Sequence, residues 1–343
     1  MPSTAATAPI AGPLTAPLTD RLGRVHTDLR VSLTDRCNLR CTYCMPEEGL
    51  SWLPRPELLT DDEVVRLVDV GTRRLGIRSV RLTGGEPLLR RGLPGLIARL
   101  TALPHAPELS LTTNGVGLAR TAVALREAGL RRVNVSLDTL RPERFTEITR
   151  RDRLADVLLG LAAAQAAGLA PVKINAVPVR GVNDDEIVEL TAFAAEHGYR
   201  MRFIESMPLD AQGAWDRERM VSADEILARL ATRFTLEPLP RDGNAPAEEW
   251  RIAGTDAVVG VIASVTRPFC GGCDRVRLTA DGQLRNCLFA AEESDLRGLL
   301  RSGADDAAVE AAWRASVAGK GPGHAIGSAD FRRPDRPMSA IGG

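Results

Sequence analysis

The chain's six cysteines fall into two trios: Cys37, Cys41 and Cys44 in a C-x3-C-x2-C run, and Cys270 and Cys273 in a C-x2-C run joined by Cys287. Three thiolates are one short of a closed tetrahedral metal site. A structural zinc site normally takes its fourth Cys or His from nearby sequence. The four histidines (His26, His105, His197 and His324) all lie outside the trios. An iron–sulfur cluster held by three thiolates, with one iron open to a small-molecule ligand, suits the count better. Disulfides would strand an odd cysteine in each trio.

The elements that must carry these trios are readable. Strands are expected at Leu29–Leu33, Ser79–Leu82, Leu109–Thr112, Arg132–Leu137, Val172–Val177 and Arg200–Ile204, with amphipathic helices between them. Thr60 with Glu63 forms a capping box, and Gly76 is placed to end that helix. Asn183-Asp184-Asp185-Glu186 opens another helix, which stops near His197-Gly198. Six strand–helix units imply a parallel sheet with right-handed crossovers, too few for a closed eight-stranded barrel. The expected class is α/β: a partial (β/α)6 TIM-like barrel with a C-terminal extension carrying a small antiparallel sheet and short helices. That extension supplies strands at Glu249–Ala253, Val258–Val265 and Arg275–Thr279, and helices at Glu293–Arg301 and Asp305–Val317.

Composition narrows the function classes. Across 343 residues, 44 Lys+Arg balance 44 Asp+Glu, and aromatics make up 4%. Neither figure favours a general nucleic-acid or anionic-membrane binder. Lys173 and Lys320 are the only lysines. The first twenty residues are rich in Ala, Pro and Thr and lack the pattern of a secretory signal. They are expected to be a disordered extension, and the protein to be cytoplasmic.

The motifs then converge on a resemblance. Cys37-Asn38-Leu39-Arg40-Cys41-Thr42-Tyr43-Cys44, placed after the first strand, resembles the signature of the radical S-adenosylmethionine enzymes. Leu82-Thr83-Gly84-Gly85-Glu86-Pro87, after the second strand, is similar to the segment by which that family contacts the cofactor's amino group. Cys270-Gly-Gly-Cys273-Asp274-Arg275-Val276-Arg277-Leu278 with Cys287 resembles the second-cluster segment of the GTP 3′,8-cyclase family. The tail, with His324, Ile326, Arg336, Met338 and Gly342-Gly343, agrees.

The resemblance implies two [4Fe-4S] clusters, held by Cys37, Cys41 and Cys44 and by Cys270, Cys273 and Cys287. It implies S-adenosylmethionine contacts at Tyr43, Gly85, Ser136 and Met207. GTP contacts would be Arg30, Arg81, Thr112, Lys173, Arg275, Val276 and Arg277. Arg277, Gly342 and Gly343 would take part in catalysis, the double-glycine tail entering the active site. The glycines of the Gly84-Gly85 segment would let the backbone approach the cofactor closely. The implied organisation is an extension at 1–20, a radical core at 21–240, and a second-cluster and substrate-binding region at 241–343. The implied reaction converts GTP to (8S)-3′,8-cyclo-7,8-dihydroguanosine 5′-triphosphate, the first step of molybdenum cofactor biosynthesis. A homodimer, an electron donor and a functional link to cyclic pyranopterin monophosphate synthase come with it. One departure stands out: Ser79 occupies a position where that family usually has lysine. The rivals are another two-cluster radical enzyme, such as a peptide-maturing one, and a zinc-stabilised nucleotide- or RNA-binding protein.

Overall fold

The computed structural model describes residues 16–241, 243–329 and 331–342. Six parallel strands follow one another in chain order: β1 (Asp28–Ser32), β2 (Ser79–Thr83), β3 (Glu108–Thr113), β4 (Arg132–Ser136), β5 (Val172–Ala176) and β6 (Arg200–Ile204). Helix α1 (Asp61–Leu75) follows β1, α2 (Leu93–Thr101) follows β2, and α3 (Leu118–Glu127) follows β3. Two helices, α4 (Pro142–Thr149) and α5 (Leu154–Ala166), follow β4. After β5 comes α6 (Ile187–Glu196), and after β6 comes α7 (Ala223–Ala231). The expected strands are all present with slightly shifted ends. Thr60 and Glu63 make both bonds of the capping box, and Gly76 closes α1 at φ 79°.

Strand alternation separates two faces. Leu29, Val31, Val80, Leu82, Leu109, Leu111, Val133, Val135, Ile174 and Phe203 are fully buried against the helices. Each such side chain contributes roughly 1.5–3 kcal/mol by leaving water. The opposite parity (Arg30, Arg81, Thr112, Ser136, Lys173) therefore faces the lumen. A one-residue slip would drive those charges into the core, so the apolar pattern fixes the register.

The C-terminal region brings the expected antiparallel strands, and they join both edges of the barrel sheet. Strand β9 (Val258–Ile262) pairs in parallel with β6, and β8 (Glu248–Ile252) and β7 (Leu236–Pro238) continue antiparallel beyond it. On the other edge β10 (Arg275–Leu278) pairs in parallel with β1, followed by antiparallel β11 (Gln283–Arg285) and β12 (Ser294–Asp295). The result is one twelve-stranded, open sheet. Six parallel strands leave two edges of unpaired backbone, and Val259, Val261, Val276 and Leu278 continue the apolar outer face onto those edges.

Helices α8 (Leu296–Arg301), α9 (Asp306–Ala318) and α10 (Met338–Ile341) complete the chain. The fully buried Trp313 of α9 lies over Gly71 of α1, where an added side-chain carbon would meet the indole at 3.3 Å. Arg66 and Arg73 of α1 pair with Asp306. The N-terminal expectation also changes. Leu18 is fully buried and donates its N–H to the Leu75 carbonyl, and Asp20 is buried too, so the end of the expected extension is anchored to the core. Residues 1–15 lie outside the described part. Among the described residues no helix is long and apolar enough to cross a membrane.

Candidate active site

The first trio's loop leaves the C-terminal end of β1 and is stitched to the segment after β2. Gly85 N–H donates to the Thr34 carbonyl at 2.7 Å and Glu86 N–H to the Arg36 carbonyl at 2.7 Å. A carbon added at Gly85 would fall 2.3 Å from the Arg36 oxygen. The missing side chain at Gly85 thus lets the trio loop pack directly against this segment. Fully buried Glu86 accepts from the Thr113 hydroxyl, Asn114 N–H and Leu88 N–H, and burial pushes its carboxyl up to about 7. Asn114 Nδ2 reaches back to Cys37 Sγ at 3.7 Å.

Tyr43, inside the trio, donates its hydroxyl to Asp138 Oδ2 at 2.6 Å, and Asp138 Oδ1 accepts from Val177 N–H. Burial raises the Asp138 carboxyl to about 6. Tyr43 and Met207 both line a cavity of about 380 Å³ with Val177, Asn183, Ser206 and Trp215. Ser136 ends β4 on the lumen side, in register with Asn175. The four expected cofactor residues thus sit at the strands' C-terminal ends, at the mouth of the barrel.

Inside, cations stand in rows. Arg277, Arg30, Arg81 and Ser110 are in register across β10, β1, β2 and β3. Thr112, Asn134, Lys173 and Arg200 are in register across β3 to β6, with Arg200 exposed at the start of its strand. Few acids answer them. Arg30 Nε has no partner, and Arg81 Nε finds only the Ser110 hydroxyl at 3.4 Å. Lys173 is 9% exposed, and its ammonium makes no hydrogen bond or ion pair among the described residues. Burial first, then Arg202, pushes Lys173 down to about 7. Burial and the Arg30 charge push Arg81 and Arg277 each down to about 9. Buried cations without counter-charges mark a site for a polyanion.

Val276 departs from its expected place. It is fully buried in register with Leu29, on the core side, so only its backbone faces the neighbours of the lumen. Arg275 faces inward, with its guanidinium 4.6 Å from the Phe269 ring centroid. Ser79 sits in register with Asp28 on the lumen side, whereas Arg78 beside it is exposed and supplies no replacement charge.

The second trio lies at the other end. Cys270 and Cys273 precede β10, and Cys287 follows β11. Because β10 runs parallel to β1, this trio is at the strands' starting end while the first is at their finishing end. The rows of cations lie between. The tail returns to the mouth: Arg277 donates to the Gly342 carbonyl, and Ser339 lies beside Cys44. Arg336 grips Asp281 with two bonds, at 3.0 and 2.8 Å. Gly343 lies outside the described residues.

Comparison with known proteins gives the same picture. Residues 31–194 match the family model of the Radical SAM superfamily, and residues 199–326 match Molybdenum Cofactor Synthesis C. A GTP 3′,8-cyclase of Streptomyces coelicolor is 63% identical over 328 residues, 95% of this chain and 96% of the relative. The chain belongs to the GTP 3′,8-cyclase family. The GTP 3′,8-cyclase 2 of Mycobacterium tuberculosis is 59% identical over 336 residues, 96% of this chain and 93% of that one. The crystal structure of Streptococcus suis SuiB bound to S-adenosylmethionine shares the fold, with a TM-score of 0.57 and 15% identity over 82% of this chain and 66% of that one.

The cyclase family implies clusters, and the donor sets fit them. Burial, then the neighbouring thiols, raises Cys41; burial, then Cys37, raises Cys44 to about 12. Such thiols become ligands when a metal draws off their protons. Among the described residues no three His, Cys, Asp or Glu side chains close on a single ion. Sequence reasoning also missed Arg202, which is 8% exposed, faces the lumen and pairs with Glu249 at 3.0 Å. Its parity with Arg200 on β6 was the available signal.

Proposed function

We propose that this chain converts GTP to (8S)-3′,8-cyclo-7,8-dihydroguanosine 5′-triphosphate, joining C3′ of the ribose to C8 of guanine as the first step of molybdenum cofactor biosynthesis. One observation carries the reading: two three-thiol trios stand at opposite ends of a lumen in which Arg30, Arg81, Lys173 and Arg277 form no ion pair among the described residues, while Arg202 and Arg275 have acidic partners. When bound, S-adenosylmethionine and the clusters supply a hydrogen-abstracting 5′-deoxyadenosyl radical at the mouth and an open iron for guanine at the far end.

The chain's own residues do the rest. Cys37, Cys41 and Cys44 hold one cluster, and Cys270, Cys273 and Cys287 the other. Tyr43, Gly85, Ser136 and Met207 orient S-adenosylmethionine. Arg30, Arg81, Thr112, Lys173, Arg275 and Arg277 clamp the nucleotide, with a backbone contact at Val276. Fixing the triphosphate and base at separate points leaves C3′ little freedom beside the radical source. Arg277 also fixes Gly342, so nucleotide and tail share one guanidinium. Arg277, Gly342 and Gly343 take part in catalysis. The enzyme works in the cytoplasm as a homodimer, takes its electron from a separate donor, and passes its product to cyclic pyranopterin monophosphate synthase.

The test is anaerobic reconstitution followed by incubation with GTP, S-adenosylmethionine and dithionite. Brown protein with about eight irons per chain, 5′-deoxyadenosine and an isomer of GTP are expected. Colourless protein with stoichiometric zinc, or S-adenosylmethionine cleavage without a GTP isomer, contradicts it.

A further inference from the structure

Lys173 and Lys320 are the only lysines in a chain with 44 basic residues, and both are buried. Lys173 faces the lumen. Lys320 is 5% exposed and sits just beyond α9, the helix docked on α1 through Trp313. Its Nζ lies 2.7 Å from the Arg275 carbonyl, 3.3 Å from the Cys273 carbonyl and 3.5 Å from Cys273 Sγ. A fourth neighbour, His26 Nδ1, is at 3.5 Å.

Behind the ammonium stands a fixed chain. His26 is fully buried, with Nε2 3.1 Å from Asp20 Oδ2. Burial and the Lys320 charge push His26 down to about 4, so the ring is neutral. Its Nε2–H donates to Asp20, which turns the Nδ1 lone pair toward Lys320. Asp20 is held by Arg24 Nε at 2.6 Å, and Arg24 Nη1 donates to the Cys270 carbonyl at 2.8 Å. Lys320 and Arg24 therefore grip the two ends of the Cys270–Cys273 turn.

We infer that Lys320 is a positioning residue for the second cluster: its ammonium donates to the Cys273 sulfur, fixes the turn, and raises that cluster's reduction potential, with Asp20 and His26 orienting it. This rests on the two-cluster reading above. A reduced cluster carries more negative charge, so a buried ammonium on a ligand sulfur favours reduction. The geometry also explains lysine in an arginine-rich chain. The four acceptors surround a point, where the three tetrahedrally arranged N–H groups of an ammonium can be shared among them and a planar guanidinium fork does not fit.

The test is an EPR-monitored redox titration of anaerobically reconstituted holoenzyme, with the first cluster recognised by its response to S-adenosylmethionine. In Lys320→Met the second cluster's midpoint falls by about 60 mV, a tenfold loss in a one-electron reduction equilibrium, while the first cluster's midpoint stays. Unchanged midpoint and line shape at full iron content overturn the inference. Should Lys320→Met lose the second cluster, Lys320→Arg decides. The inference expects that variant to keep the cluster with a shifted signal; a wild-type signal and midpoint overturn it. A wild-type protein that binds only the first trio's irons refutes the two-cluster reading instead.

Discussion

Arg30 of β1 and Arg277 of β10 stand in register on neighbouring parallel strands, both turned into the lumen. The strands come from opposite ends of the chain, so folding brings two like charges together that a shorter connection would never pair. After burial, the Arg30 charge is the largest influence depressing Arg277. The pair is costly until an anion lies between its members.

That cost makes the first prediction. Arg30→Met should weaken GTP binding by roughly ten- to a hundredfold, the loss of one charge-assisted contact of about 1.5–3 kcal/mol. The nucleotide-free protein should unfold at an equal or higher temperature, since a buried repulsion is removed. Isothermal titration and thermal unfolding check both halves; a lower Tm with unchanged affinity contradicts them.

Lys173 gives a pH dependence. Its free-state value of about 7 lies below the ordinary lysine value because of burial and Arg202. It is therefore losing its proton as pH rises through 7, whereas the triphosphate needs the charged form. GTP affinity should fall from pH 7 to 9, with proton uptake on binding. Titration in buffers of different ionisation enthalpy measures that uptake, and Lys173→Met should abolish this component. The same shift acts on folding with the opposite slope: the unfolded lysine holds its proton to higher pH, so this group's penalty on stability is full below 7 and fades above it.

Tyr43→Phe keeps the ring and removes one of the two donors that Asp138 accepts from at the trio loop. A buried carboxylate left short of a partner costs about 1–3 kcal/mol. Denaturant unfolding of the cluster-free protein should show that loss, and S-adenosylmethionine binding to the reconstituted enzyme should weaken several-fold. Wild-type stability in the variant removes Asp138 from the account.

Gly342 sits at φ 87°, and a side-chain carbon there would lie 2.9 Å from Thr83 Cγ2. Strain of about 1–3 kcal/mol should displace the tail in Gly342→Ala and cut turnover at least tenfold. Iron content and fold should be unchanged. A tag fused after Gly343 should act in the same direction. Full activity in both proteins removes the tail from the mechanism.

How much of this was legible varies with the range of the interaction. The six core strands and the α1 caps follow from alternation and from Thr60, Glu63 and Gly76, all local signals. The cysteine trios were legible because spacing alone excludes a closed site. The pairing of β10 with β1 was not, because a strand four residues long and buried throughout does not announce which edge it will cover. Val276 was placed with its neighbours by motif, although alternation turns it outward. Asp20, Arg24 and Lys320 meet around the second trio from opposite ends of the chain. Asp20 fell in a stretch whose composition reads as disordered, and nothing short-range reveals that it is buried. Arg202 was hidden among abundant arginines, most of them solvated.

The central claim is that the lumen holds C3′ of GTP beside the source of the 5′-deoxyadenosyl radical at the first trio. The most direct measurement is one anaerobic turnover of GTP deuterated at C3′, with mass spectrometry of the nucleosides. Deuterium in 5′-deoxyadenosine and its loss from the cyclised product are predicted. Unlabelled 5′-deoxyadenosine formed alongside a GTP that keeps its deuterium would contradict the account.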